Sequence, residues 1–118
     1  MKKLIDAYLL YAKTNEQAYQ WAYDEVNALI AKPAGLSVVF ELVQACESDS
    51  QIAYVAAGPL EDLITKHLDV IESELTTMVR TNDKMRKAIC GVFASEGSAA
   101  RKIVDNILHK FGLTYGSL

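Results

Sequence analysis

The sequence predicts an all-α protein: a single helical domain over residues 1–118, with seven to eight short helices in an irregular orthogonal bundle or a HEAT-like stack. Apolar residues recur every three or four positions, which is the spacing of one helix face, and no stretch alternates long enough to predict a strand. The chain contains only six glycines and two prolines, few for a fold with many tight turns. Hydrophobic residues make up 51% of it, so a core of ordinary size is expected.

The first three helices are predicted from their apolar faces and from signals at their ends. Residues 3–12 form the first. Thr14 and Gln17 have the spacing of a capping box, which predicts that a second helix begins there and runs to about residue 31, with Trp21 facing inward. Pro33 ends that helix, because the residue before a proline avoids the α region. A third helix is expected from residue 34 or 37 to residue 46.

The middle of the chain is organised around its only Gly-Pro pair. A short fourth helix, recapped at residues 48–51, is predicted to end at Gly58, which can adopt the positive φ of a helix terminus. Pro59 suits the first position of the next helix. Glu61 and Asp62 would then lie in a first turn, where the helix dipole favours carboxylates. The pair therefore predicts a corner between two packed helices.

The last three helices are predicted to begin at polar capping residues. Asp69 starts a sixth helix in a capping-box pattern, Asn82 a seventh and Ser98 an eighth, which ends at Gly112. Residues 114–118 are expected to fray.

The cysteines and the apolar runs bear on location. Cys46 and Cys90 have no metal-ligand or C-x-x-C spacing and lie on apolar helix faces, which predicts buried free thiols. The apolar runs are too short for a membrane span, and Asp6 interrupts the run that could serve as a signal-peptide core. We therefore expect a cytoplasmic protein with no membrane partner.

Few residues suggest catalysis. His67 and His109 lie at predicted helix ends without a metal-ligand spacing. Glu61 and Asp62 are adjacent, so they point about 100° apart and do not easily face one substrate atom. No P-loop, dinucleotide-binding or nucleophile-elbow motif is present. No catalytic residue, metal or cofactor is predicted. An enzyme that uses Glu61, Asp62 or His67 ranks third, after the two binding functions given at the end of this section.

The charges are unevenly distributed. The net charge is −3, but residues 41–75 carry eight acidic residues against one lysine, a balance of −7. One interpretation is a set of solvated helix faces that attract the basic residues 76–118 on folding. The other is an acidic surface that binds a basic partner, since such complementarity speeds encounter and gives specificity. Nucleic acid is disfavoured as that partner, because its phosphates would be repelled. The predicted partner-binding residues are Glu41, Glu47, Asp49, Glu61, Asp62, Asp69, Glu72 and Glu74.

Aromatic residues cluster near the N-terminus. Tyr8 and Tyr11 are one helical turn apart, as are Tyr19 and Tyr23, so each pair shares a helix face. They serve either as core residues whose hydroxyls reach the surface, or as exposed interface anchors together with Trp21.

Residues 52–64, preceded by Trp21-Ala22 and followed by Arg86 in a late helix, resemble a family of small, uncharacterised bacterial helical domains, whose core motif is Ala-Ala-Gly-Pro-Leu-Glu-Asp-Leu-Leu. The resemblance covers the layout of residues 15–93, and this chain departs from the motif at Ile64. It implies an all-helical fold and no assigned chemistry. In size, acidity and helical content the chain is also similar to immunity proteins of contact-dependent growth inhibition and related toxin systems, which bind and block a cognate toxin.

These observations predict a cytoplasmic immunity protein that binds a basic toxin domain, often a nuclease in such systems, and covers its active cleft. The eight acidic residues would contact the toxin's lysines and arginines. The alternative is a stand-alone helical adaptor without a toxin partner. A toxin reading frame beside the gene would distinguish the two.

Overall fold

The structure, a computed structural model, describes residues 1–116. Within that range it contains no strand and six helices, two of them preceded by a 3₁₀ turn (Gln17–Tyr19 and Pro33–Gly35). The helices are α1 (Lys2–Thr14), α2 (Gln20–Leu29), α3 (Leu36–Ala45), α4 (residues 49–81), α5 (Asp83–Ile89) and α6 (Ala99–Lys110). The predicted all-α class is confirmed. The predicted number of helices is too high, because three of them are one continuous run, α4.

The helices pack around one hydrophobic cluster. α1 contacts α2, α3 and the first segment of α4, while α5 contacts α3 and both segments of α4. A solenoid repeat touches only its neighbours, so these contacts are those of a bundle rather than a HEAT-like stack. The buried side chains of the described residues are hydrophobic apart from the Tyr8 hydroxyl and the cysteine thiols, and both cysteines are buried and form no disulfide, as predicted. No helix in residues 1–116 is long and apolar enough to cross a membrane.

The predicted corner at Gly58-Pro59 is wrong. The helix continues through the pair: Asp49–Val55 leads into a π-helical turn, Ala56–Leu60, which leads into Glu61–Thr81. Gly58 does not adopt a positive φ. Because α4 has no terminus here, Glu61 and Asp62 do not lie at the positive end of a separate helix.

Two physical reasons account for the wide turn. Proline lacks an N–H and its ring clashes with the carbonyl four residues earlier, which a turn with i→i+5 bonding relieves. The buried residues Ile52, Ala56, Leu60 and Ile64 also recur every four positions. In a regular α-helix four residues overshoot one turn by about 40°, so these side chains would drift off the core face. The wide turn offsets that drift.

The predicted helix start at Asp69 is also wrong. Asp69 lies inside α4, two residues after a kink at His67, whose φ of −129° and ψ of 25° are not helical. His67 Nε2 lies 3.0 Å from the carbonyl oxygen of Ala31, so the kinked turn is tied to the end of α2.

The capping box at Thr14 is wrong as well, because α1 extends through Thr14. Asn15 ends that helix in the left-handed region, with φ of 55°. The Thr14 hydroxyl donates to the carbonyl of Leu10 (2.8 Å) and accepts from the N–H of Glu16 (3.2 Å). By contrast, Ser48, Asn82 and Ser98 each cap a helix through their side chains, as predicted.

The segment after α6 is held against the bundle up to Gly116. The Gly116 N–H donates to the carbonyl of Cys90 (2.9 Å). The Tyr115 ring packs against Phe93, with centroids 5.4 Å apart, and the Arg101 guanidinium lies 4.5 Å from its centroid. The prediction that residues 114–118 fray is therefore wrong for 114–116, and Ser117 and Leu118 lie outside the described residues.

Candidate functional site

The eight predicted acidic residues lie on α3, on the segment after it and on α4. Seven are exposed and Glu61 is partly buried. Within residues 1–116 only Asp49 among them forms an ion pair, with its carboxylate 3.0 Å from Lys87 Nζ. The other seven carboxylates make no ion pair with a described residue: Glu41, Glu47, Glu61, Asp62, Asp69, Glu72 and Glu74. These seven are free to meet a partner's cations.

Near Asp49 the acidic and basic parts of the chain attract each other within the protein. Glu47 and Asp49 line one cavity together with Lys84 and Lys87. Lys84 Nζ donates to the carbonyls of Gln44 and Cys46, both at 2.8 Å, and so caps the end of α3. Since both lysines are engaged, this part of the surface is less negative than the sequence suggests.

The unpaired carboxylates do not converge on one point. Glu41 lines a cavity beside the N-terminal end of α1, and Asp62 lines a different one between α1, α2 and α4. The largest group follows α4 over 13 residue steps, or about 20 Å at 1.5 Å per residue. We call this group the acidic edge; it comprises Glu61, Asp62, Asp69, Glu72 and Glu74.

The cavity that Asp62 lines contains three tyrosines from three helices, and we call it the tyrosine groove. Tyr8 of α1, Tyr23 and Asn27 of α2 and Tyr54 of α4 form its walls. The Tyr8 and Tyr23 rings are parallel within 5°, with centroids 6.4 Å apart. The Tyr54 ring is tilted by 60° to the Tyr8 ring, with the two ring centroids 6.1 Å apart. Tyr8 is 2% exposed, Tyr23 37% and Tyr54 40%, so Tyr8 forms the base and the other two are open to solvent.

The π-helical turn forms one side of the tyrosine groove. Ala57, Gly58 and Pro59 line it, and Asp62 follows one turn later. At Gly58 an added Cβ would lie 3.9 Å from the Tyr8 hydroxyl oxygen, an ordinary van der Waals distance. Single π-helical turns inside α-helices occur frequently at functional sites.

Two phenols of the groove, those of Tyr8 and Tyr54, have raised pKa values. Burial raises the pKa of Tyr8 far above its ordinary value, and the neighbouring Tyr54, Tyr23 and Asp62 add to the effect. Burial also raises the pKa of Tyr54. A tyrosine with a raised pKa is a poor base and nucleophile but presents an aromatic face and a hydroxyl donor. The groove is therefore suited to binding.

Sequence reasoning found part of this arrangement. It placed Tyr8 on a shared aromatic face with Tyr11 and treated Asp62 as an interface residue, but it did not bring them together. Tyr54 was missed as a member. Tyr54 lies five residues before Pro59, which is the i→i+5 spacing of a π-helix, and the prediction of a helix end at Gly58 did not use that spacing.

A second apolar depression lies beside the aromatic residues Tyr19 and Trp21. Trp21, predicted to face inward, is 45% exposed, because α2 buries Ala22 and Val26 instead. With Leu10 and Tyr19 it lines a cavity of about 630 Å³ bordered by Lys2 and Lys3.

The residues considered for catalysis are not assembled into a site. His67 contacts the carbonyl of Ala31 at 3.0 Å. Asp62 lines the tyrosine groove, and Glu61 is not among the residues that line it. In the described part of the chain no group of three or more His, Cys, Asp or Glu side chains is placed to hold a metal ion.

Comparison with known proteins gives a match to a family model. The profile of a family of unknown function (DUF6869) matches residues 11–109, which include the tyrosine groove except for Tyr8, and the whole acidic edge. No curated protein and no solved structure matches the chain.

Proposed function

The chain belongs to this family of unknown function, DUF6869, and we propose that it acts as a non-enzymatic binding protein for a basic protein partner. The observation that carries the proposal is the acidic edge: five carboxylates on one helix, four of them exposed, none in an ion pair with a described lysine or arginine. Unpaired surface charges of one sign raise the association rate of an oppositely charged partner and disfavour other partners.

In its most specific form the proposal is a cytoplasmic immunity protein. The acidic edge would cover the cationic cleft of a toxin, and the exposed tyrosines beside it would supply buried aromatic contacts. Aromatic residues surrounded by polar ones are the usual centre of a protein–protein interface. The acidic composition, the exposed edge and the adjacent groove support this form.

The test is binding to the product of a toxin-like reading frame beside the gene, measured by calorimetry at low and at high salt. Reversal of Glu72→Lys and Glu74→Lys is expected to weaken binding by about tenfold or more, mainly through the association rate. The matched control reverses Asp24→Lys and Glu25→Lys, two exposed carboxylates of α2, and so makes the same change in net charge. Binding that ignores salt, or that both double variants weaken equally, would contradict the proposal.

A stand-alone adaptor is the second candidate, favoured by the depression around Leu10 and Trp21. A scaffold needs more than one binding surface, and this one is separate from the tyrosine groove. A gene with no toxin-like neighbour, together with partner binding that depends on Trp21→Ser but not on the acidic edge, would favour the adaptor.

A further inference from the structure

We propose that the tyrosine groove is a receptor for one arginine side chain of a basic polypeptide partner. The inference rests on the proposed function, because it names the group by which the partner would be anchored. The two proposals rest on different observations, however. The proposed function rests on the charge of the acidic edge, and this inference rests on the composition and geometry of the groove.

The size of the groove suits one side chain. Its volume is about 250 Å³. Pockets for drug-sized ligands and cofactors usually range from about 300 to 1,000 Å³, so this groove is small for either.

The walls of the groove favour a cation. Tyrosine rings carry a negative face that attracts ammonium and guanidinium groups within about 6 Å of the centroid. Here Tyr23 and Tyr54 flank the buried Tyr8 and are themselves partly open to solvent, with Tyr23 also packed against Tyr11 at 5.3 Å. The Asp62 carboxylate stands at the exposed end and has no ion pair within the described residues.

No cation of the protein fills the groove. Its lining contains no lysine, arginine or histidine. The two cation–π contacts found in residues 1–116 join Arg101 to Tyr115 and Lys110 to Phe111, on and after α6. An aromatic and acidic groove without an internal cation is complementary to a cation from outside.

Three features favour arginine over lysine. A guanidinium is planar and stacks on aromatic rings, whereas an ammonium is a compact, strongly hydrated charge. It also makes two parallel hydrogen bonds to a carboxylate such as Asp62. Finally, the Asn27 side chain is exposed, makes no hydrogen bond to a described residue and lines the groove, so its amide oxygen can accept from a third guanidinium N–H.

The experiment titrates the full chain with N-acetyl-arginine amide and follows backbone amide shifts by NMR. The expected result is saturable binding, of millimolar strength, with shifts centred on Tyr23, Tyr54, Gly58 and Asp62. The matching lysine amide should bind several-fold more weakly. The norleucine amide, which has an apolar side chain of similar length, should cause no saturable shift.

Two variants distinguish the groove from general charge. Asp62→Asn should weaken arginine binding about tenfold, because it removes the charge-assisted pair. Asp24→Asn, which makes the same change on an exposed carboxylate of α2 that does not line the groove, should leave it unchanged. Both sites are exposed, so neither variant endangers folding.

The inference would be overturned if the lysine or the norleucine amide bound as tightly as the arginine amide. It would also be overturned if choline, a quaternary ammonium ion, bound more tightly than the arginine amide, or if the two variants weakened arginine binding equally. The proposed function fails separately. Its test is the charge reversal of Glu72 and Glu74, measured on binding of a whole partner. That reversal can leave partner binding unchanged while the arginine amide still binds, and it can weaken partner binding while the arginine amide does not bind.

Discussion

Replacing Gly58 with alanine is expected to stabilise the protein, the opposite of what the sequence alone predicts. If Gly58 ended a helix with a positive φ, its replacement by alanine would lower the free energy of unfolding by about 1 kcal/mol. In the structure Gly58 lies within a continuous helical run without a positive φ, and beyond its chain neighbours and its own helix backbone the added Cβ meets only the Tyr8 hydroxyl, at 3.9 Å. Alanine restricts the unfolded chain, but its Cβ also faces the ring of Pro59, which disfavours the α region for the residue before it, so the net gain is at most about 0.5–1 kcal/mol.

The assay is reversible thermal and urea unfolding followed by circular dichroism. A gain of that size raises Tm by about 2–5 °C in a chain of this length, and it should raise the urea midpoint without changing the slope. Gly35→Ala is the contrasting variant, since its Cβ would lie 2.6 Å from the Leu29 carbonyl oxygen and 2.7 Å from Ile30 Cα. Backbone cannot move aside easily, so a loss of about 3 kcal/mol is expected. A loss of about 1 kcal/mol or more in Gly58→Ala, the loss expected of a glycine with positive φ, would refute the continuous π-helical turn.

Three further changes test other contacts. Asn82 caps α5 through the Met85 N–H and exchanges two hydrogen bonds with the Gln44 amide, so Asn82→Ala should cost about 2 kcal/mol in urea unfolding, and Asn82→Asp, which keeps the cap, clearly less. Cys46 is buried and burial raises its pKa to about 11, so a thiol reagent at neutral pH should modify it only at the rate at which the protein opens; fast labelling of native protein would contradict the packing of α3. Hydrogen bonds from Tyr115 first and Arg101 second lower the pKa of Asp105. The stability that these bonds give is present above the pKa of an unfolded aspartate and is lost as the pH falls through the lowered pKa of the folded protein. An NMR titration of Tyr115→Phe should therefore show a higher pKa for Asp105.

Local signals predicted much of the fold correctly. The caps at Ser48, Asn82 and Ser98 follow from short polar side chains that accept from the N–H three residues later, and the structure shows all three bonds. Gly112 likewise adopts the predicted positive φ, of 66°. Such signals depend on a few adjacent residues, so one sequence is enough to read them.

The errors occurred where tertiary packing overrides a local preference. Gly-Pro is usually a helix boundary, but the buried faces before and after it keep α4 continuous. Trp21 follows the apolar period of α2, yet small residues fill the tight contact with α1 and leave the large ring outside. The tyrosine groove was beyond reach for the same reason: Tyr8, Tyr23 and Tyr54 come from three helices whose relative positions no local pattern specifies.

The π-helical turn makes the tyrosine groove sensitive to a change in chain length rather than in composition. Deleting one residue between Ala56 and Leu60 would narrow the turn and rotate everything before it by about 100° relative to everything after it. Tyr54 would then turn away from Tyr8, although every aromatic and acidic residue of the groove would still be present in the sequence. A homologue that lacks that one position can therefore keep every tyrosine and acidic residue of the groove and none of its shape.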